Sequence, residues 1–144
     1  MRLVDLTTKP WQLMLPGEKE TSLNKMVYLP GTLDEFGVGH EDRIDNSCHP
    51  DETTAQSFDD DVIATRFTRK HTYEGPAYFE QEITIAPADK CRTFFEIERA
   101  RCVRVYLDGE EISSYEEQTI STPHVFELTG HEGIHRLRVE SDNS

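Results

Sequence analysis

Tyr73-Glu74-Gly75-Pro76-Ala77-Tyr78-Phe79-Glu80-Gln81-Glu82-Ile83-Thr84-Ile85 is the stretch that decides the fold. Gly75-Pro76 breaks any helix and sends the chain into an extended segment. Beyond it the side chains alternate. Ala77, Phe79, Gln81, Ile83 and Ile85 fall on one face, and Tyr78, Glu80, Glu82 and Thr84 on the other. Pro87 has no amide to donate to a ladder and ends the run. A strand with one apolar face needs a layer to cover it, so a sheet packed on something is expected.

The same alternation recurs on both sides of this stretch. In Cys91 to Glu98, Thr93, Phe95 and Ile97 oppose Phe94, Glu96 and Glu98. Cys102 to Leu107 places Val103, Val105 and Leu107 on its apolar side. Asp108-Gly109 then reads as a type I′ turn into Glu110-Glu111-Ile112, an architectural feature rather than part of a site. Phe126 shares a face with Leu128, Gly130 to Gly133 turns the chain, and Leu137 and Val139 point inward from a last strand over His135 to Glu140. Upstream, Leu3 to Leu15 holds one or two short strands around Trp11, which reads as a core anchor rather than a sugar-stacking platform. Met26 to Leu29 is extended and closes on Pro30-Gly31, a type II turn candidate. Val62 to Tyr73 resumes strand-like alternation with Arg66, Arg69, Lys70 and His71 interleaved. Short strands between turn signals, with no long amphipathic helix, give an all-β class: an antiparallel β-sandwich or jelly roll.

The 144 residues match one ordinary domain, so a single β-sandwich domain over 1–144 is expected. Within it, 1–26 is a loose N-terminal segment and 40–61 an acidic loop insertion. The formal net charge of -13 repels phosphate backbones and anionic membranes, which argues against nucleic-acid and membrane partners. Three cysteines, Cys48, Cys91 and Cys102, have no zinc-like spacing. Free thiols in a reducing compartment are expected, with a Cys91–Cys102 disulfide across paired strands left open. With no signal-peptide core at the N-terminus and no apolar run of membrane-spanning length, the expected location is the cytoplasm. Neither a metal nor a cofactor is expected. The Asp59-Asp60-Asp61 region lacks the glycine of an EF-hand loop, Cys48-His49 has the wrong spacing for zinc, and Gly37 and Gly39 do not make a dinucleotide fingerprint.

Several segments, in order, resemble one family. Leu29-Pro30-Gly31-Thr32-Leu33-Asp34 through Gly39 is similar to an LPGT/S segment. Arg69 to Phe79 is similar to a Y-x-G-x-A-W-Y segment, with Tyr78 where Trp is common. Val103 to Gly109 resembles a V-W-V-D/N-G hairpin. Phe126-Glu127-Leu128-Thr129 resembles F-x-D-L/I-T, and His135 to Asn143 a closing L-x-V-x-V-D-N strand. Together they resemble the N-terminal sugar-binding domain of glycoside hydrolase family two, the β-galactosidase and β-glucuronidase family. The resemblance covers about Leu29 to Asn143, with Met1 to Met26 matching loosely. It implies a galactose-binding-like jelly roll whose partners are carbohydrate and the remaining domains of a parent glycosidase. It also implies that the two catalytic carboxylates lie on a separate barrel domain. No acid–nucleophile pair and no Ser-His-Asp or Cys-His arrangement can be placed in this chain, so no catalytic residue is assigned and no turnover is expected from it alone.

Two sets of residues are candidates for contact. Arg69, His71 and Tyr73 combine polar groups with an aromatic face, as sugar binding requires, although cross-strand pairing at the surface is the plainer account of them. Phe94 and Tyr106 put rings on polar strand faces, a feature of docking surfaces and also of rings covered by a loop of the same domain. Besides an accessory domain of a glycosidase, the sequence accommodates a free-standing carbohydrate-binding module and a protein-interaction β-sandwich.

Overall fold

A computed structural model describes residues 2–16, 25–41, 71–87, 90–114 and 122–144. The chain divides into two compact units, one of Met1–Pro30 with Gly75–Ser144 and one of Gly31–Glu74. The strands in chain order are β1 (Trp11–Met14), β2 (Lys25–Val27), β3 (His40–Glu41), β4 (His71–Thr72), β5 (Pro76–Ile85), β6 (Phe94–Ile97), β7 (Val103–Leu107), β8 (Glu110–Ile112), β9 (His124–Glu127) and β10 (Gly133–Asp142). Among the described residues the only other regular element is a 3-10 turn at Leu6–Thr8, so the fold is all-β. Every strand pair is antiparallel. Among these residues no helix is long and apolar enough to cross a membrane.

The first unit holds a six-stranded sheet in the order β2-β1-β5-β10-β7-β8 and a two-stranded sheet of β6 and β9. β5 and β10 pair along the whole of their ten residues, from Pro76 against Asp142 to Ile85 against Gly133. On the expected inner face of β5, Ala77, Gln81, Ile83 and Ile85 are buried and Phe79 is half-buried; on the other face Glu80 departs from the alternation and is buried too. Leu13, Val105, Leu107, Leu137 and Val139 join the inner-face residues from the neighbouring strands of the large sheet, and Phe95, Phe126 and Leu128 from the small one. These residues make the core of the unit. Phe95 and Phe126 are direct cross-strand partners with ring centroids 6.3 Å apart. A bridge between Ser114, just past β8, and Phe126 links the two sheets.

Gln81 is a polar residue at an apolar position, and its surroundings explain it. Its Nε2 lies 3.1–3.3 Å from the carbonyl oxygens of Leu6, Lys9 and Pro10. The indole N–H of Trp11 donates to the same Leu6 oxygen at 3.2 Å. The Gln81 contacts tie the N-terminal stretch to β5. β1, inside the segment 1–26, is therefore an internal strand of the large sheet, with Trp11 and Leu13 in the core.

Turns follow their residue chemistry. Asp108 and Gly109 have φ of 52° and 91°, as a type I′ turn requires. The type II turn expected at Pro30-Gly31 is not formed. Gly31 stays out of the left-handed region that such a turn needs, and the Leu29–Pro30 peptide is cis. Cys91 and Cys102 are free and exposed. They precede strands of different sheets, because β6 pairs with β9 whereas β7 pairs with β10 and β8. The last strand is longer than its apolar pattern, running from Gly133 to Asp142.

In the second unit, Thr32 and Glu35 bond reciprocally: Thr32 N–H donates to Glu35 Oε2 at 2.7 Å, and Glu35 N–H to Thr32 Oγ1 at 3.2 Å. This is a capping box around a single turn, which Val38 N–H closes on the Leu33 carbonyl at 2.9 Å. Gly39 then passes against β4 with φ of 114°; a Cβ there would sit 2.3 Å from the Thr72 carbonyl oxygen. β3 shows that the acidic stretch begins inside a paired strand, with His40 opposite Thr72 and Glu41 opposite His71. Residues 42–61 of that stretch, with Cys48 and the Asp59–Asp61 run, lie outside the described residues.

Leu137 sits on β10 with no exposed surface. Leu137→Ala should cost about 2–5 kcal/mol, the range for a buried leucine truncated to a cavity. Chemical denaturation with an unchanged slope and a lowered midpoint would register it; a loss under 1 kcal/mol would mean that the site collapses freely.

Candidate functional site

The polar face of the large sheet is ordered by its register. Glu80 lies opposite Arg138, Tyr78 opposite Glu140 and Glu82 opposite Arg136. On the other side of β10, Arg138 faces Tyr106 and Glu140 faces Arg104. The Glu80 carboxylate is ion-paired with Arg138 and only 7% exposed, although it belongs to the polar side of β5. The Arg138 guanidinium also lies over the Tyr78 ring, 5.7 Å from its centroid, as a cation over a π face. Tyr106 donates its hydroxyl to Glu140 Oε2 at 3.1 Å, and Arg104 lies 3.9 Å from the same carboxylate. Burial, and then the bond to Glu140, push the Tyr106 phenol above its usual range. Acid, base and ring thus alternate across β5, β10 and β7.

The outer face of the small sheet has its own cluster. Phe94 is 41% exposed and lies directly opposite Glu127. Arg92 grips Glu127 with two bonds, Nε to Oε1 at 2.8 Å and Nη2 to Oε2 at 2.6 Å. Its guanidinium carbon rests 4.9 Å from the Phe94 ring centroid. The Arg92 fork, helped by the Thr129 hydroxyl, lowers Glu127 from an ordinary 4.5 to about 2. Phe94 and Tyr106 therefore belong to separate sheets and separate polar clusters.

Of the sugar-contact candidates, Arg69 lies outside the described residues. His71 is in β4 and Tyr73 follows it. Within their unit Asp34 engages His71 twice: Oδ1 accepts the His71 N–H at 2.7 Å and lies 3.3 Å from ring Nδ1. That carboxylate, set on the turn before Gly37, was not singled out from sequence. Neither were Glu80, Arg138, Arg92 and Glu127. Their opposite charges are visible in the sequence, but only the register makes partners of them. His124 is a further addition: buried at 3% exposure, it places Nε2 2.8 Å from the Ala100 carbonyl oxygen. Among the described residues no three His, Cys, Asp or Glu side chains gather as metal ligands would. The arrangement can present rings and held charges to a partner or ligand.

Two measurements test these clusters. Glu127 has a depressed folded-state pKa, so its contribution to stability is complete above about 4.5 and is lost as pH falls toward about 2. Glu127→Gln should lower the unfolding midpoint at pH 7 and flatten its decline between pH 4 and 2; a parallel decline would remove Glu127 from the acid transition. Arg138→Ala leaves the Glu80 charge buried without its partner and should cost about 1–3 kcal/mol, more than Glu80→Gln, which removes the charge itself. Equal losses in denaturation would contradict the pairing.

No protein-family model matches the sequence, and no curated protein matches it. Solved structures do. β-Glucuronidase of Faecalibacterium prausnitzii aligns with 92% of this chain at 15% identity and a TM-score of 0.51. β-D-glucuronidase of Dictyoglomus thermophilum aligns with 93% of it at 14% identity and a TM-score of 0.55. The chain spans 20% and 18% of those two proteins. It is thus similar in fold to one part of two β-glucuronidases.

Proposed function

We propose that this chain is a non-catalytic sugar-binding or accessory domain of a family-two glycoside hydrolase, of the β-glucuronidase or β-galactosidase type. In this reading it packs on a catalytic barrel carried by a neighbouring module and helps to wall its substrate cleft. The observation that carries the reading is the match of over nine-tenths of this chain to about a fifth of two β-glucuronidases. The ordered run of family-like segments from Leu29 to Asn143 supports it independently.

The exposure of Phe94 supports docking through the small sheet, since an apolar ring framed by the Arg92–Glu127 pair offers a partner both area and charge. Tyr106 offers less ring, being half-buried with its hydroxyl committed to Glu140. Contact with carbohydrate is assigned to Arg69, His71 and Tyr73, with Asp34 fixing the His71 ring.

The purified chain should release no aglycone from 4-nitrophenyl β-D-glucuronide or β-D-galactoside; sustained release that scales with its concentration would overturn the non-catalytic role. Calorimetric titration with glucuronate- and galactose-terminated oligosaccharides separates the alternatives. Weak or absent binding by the isolated chain fits an accessory domain whose cleft needs the barrel. Saturable binding lost on His71→Ala would instead favour a self-sufficient carbohydrate-binding module.

A further inference from the structure

At one end of the large sheet two turns meet the start of β10. The β7–β8 turn brings Asp108, and the β9–β10 turn contains Gly130, His131 and Glu132, just ahead of Gly133 at the start of β10. Asp108 is bound to β10 three times. Its Oδ1 accepts the Arg136 N–H at 2.8 Å, its Oδ2 lies 2.7 Å from His135 Nδ1, and its own N–H donates to the Arg136 carbonyl at 2.9 Å. The second ring nitrogen of His135, Nε2, lies 3.3 Å from the Glu132 carbonyl oxygen in the other turn. Both atoms facing the ring nitrogens are acceptors, one a carboxylate oxygen and one a carbonyl oxygen. A neutral imidazole has a single N–H and would turn a lone pair toward one of them; only the imidazolium donates to both.

We propose that His135 is the doubly protonated pin of a pH-gated clasp, joining the β9–β10 turn to the β7–β8 turn through Asp108. The electrostatics agree with the geometry. Asp108 above all, and then the Glu132 carbonyl, raise the His135 ring above its ordinary 6.5, against the opposing effect of burial. The Arg136 N–H first, and His135 second, hold Asp108 below its ordinary 3.8. His131 meets the His135 ring edge-on with centroids 6.3 Å apart. On β5 the residue directly opposite is the uncharged Ile83, while Arg136 and its partner Glu82 alternate to the other face of the sheet. On β8, Glu110 stands opposite Leu107 beside the Asp108 turn. The raised ring contributes fully below 6.5 and is lost as pH rises through its folded-state value. The lowered carboxyl contributes fully above 3.8 and is lost as pH falls through its own folded-state value. The clasp is thus closed in between, opens at its Glu132 end as pH rises through the folded-state value of the ring, and is released altogether as pH falls through that of the Asp108 carboxyl.

Ring-nitrogen NMR on the full ¹⁵N-labelled chain tests this across pH 5 to 10. At pH 6.5, where an ordinary imidazole is half neutral, both His135 nitrogens should still carry protons in most molecules. Raising the pH should strip one of them, and the amide shifts of Gly133 and Arg136 should follow the same curve. Asp108→Asn keeps a side chain that tolerates the left-handed turn and should move the titration midpoint downward. A His135 ring already half neutral at or below pH 6.5 would overturn the clasp, as would an Asp108→Asn titration superimposable on that of the parent chain.

Discussion

The antiparallel pairing of β5 with β10 is the constraint on which the first unit rests. Each strand is ten residues long, and the two are in register throughout. Because side chains alternate with a period of two, a slip of one residue would turn Leu137 and Val139 out of the core and Arg138 into it. At one end of the pair the Gly75 N–H, just before β5, donates to Asn143 Oδ1, just after β10, at 2.9 Å; near the other end Asp108 ties β10 to the turn after β7 through Arg136 and His135. β1 adds to the free side of β5 and β7 to the free side of β10, so an error in the central pair would propagate through four strands.

That register also sets the charge pattern on the polar face. Glu80 is buried there because Arg138 lies across from it and covers it, with Tyr78 beneath the guanidinium. Taking a carboxylate out of water is expensive unless a partner meets it at close range. The partner comes from 58 residues away in sequence, so this burial is possible only once β5 and β10 have paired. The Arg92–Glu127 fork on the small sheet is built the same way from the β6–β9 pair.

What was legible in the sequence is what depends on near neighbours. The alternation in β5 and β7, the Asp108-Gly109 turn and the all-β class need only local periodicity and turn chemistry, and they stand in the structure. What escaped depends on distant strands. Gln81 falls on the apolar face by alternation, and only the fold shows its Nε2 within hydrogen-bond distance of the carbonyl oxygens of Leu6, Lys9 and Pro10. His40 and Glu41 read as part of an acidic loop because nothing near them favours a strand; they pair with residues about thirty positions later. Thr32-Leu33-Asp34-Glu35 carries a local signal, the Thr-x-x-Glu spacing of a capping box, and the structure forms it. The Phe94 and Tyr106 rings were rightly placed on polar faces, but a strand pattern alone cannot assign them to different sheets.

The electrostatics bear on which chemistry these carboxylates can perform. A general acid for glycoside cleavage must hold its proton near neutral pH, which takes an apolar setting or a neighbouring carboxylate that raises its pKa. Glu127 is driven the opposite way, to about 2, by an arginine fork. Glu80 is locked to Arg138, and Glu140 sits between the Tyr106 hydroxyl and Arg104. A carboxylate held by a cation is also a poor nucleophile, because the attacking lone pairs are engaged and the charge to be donated is already neutralised. These three groups are therefore arranged to fasten strands together. That is the electrostatics of a scaffold, in which each charge is spent on holding one strand to the next.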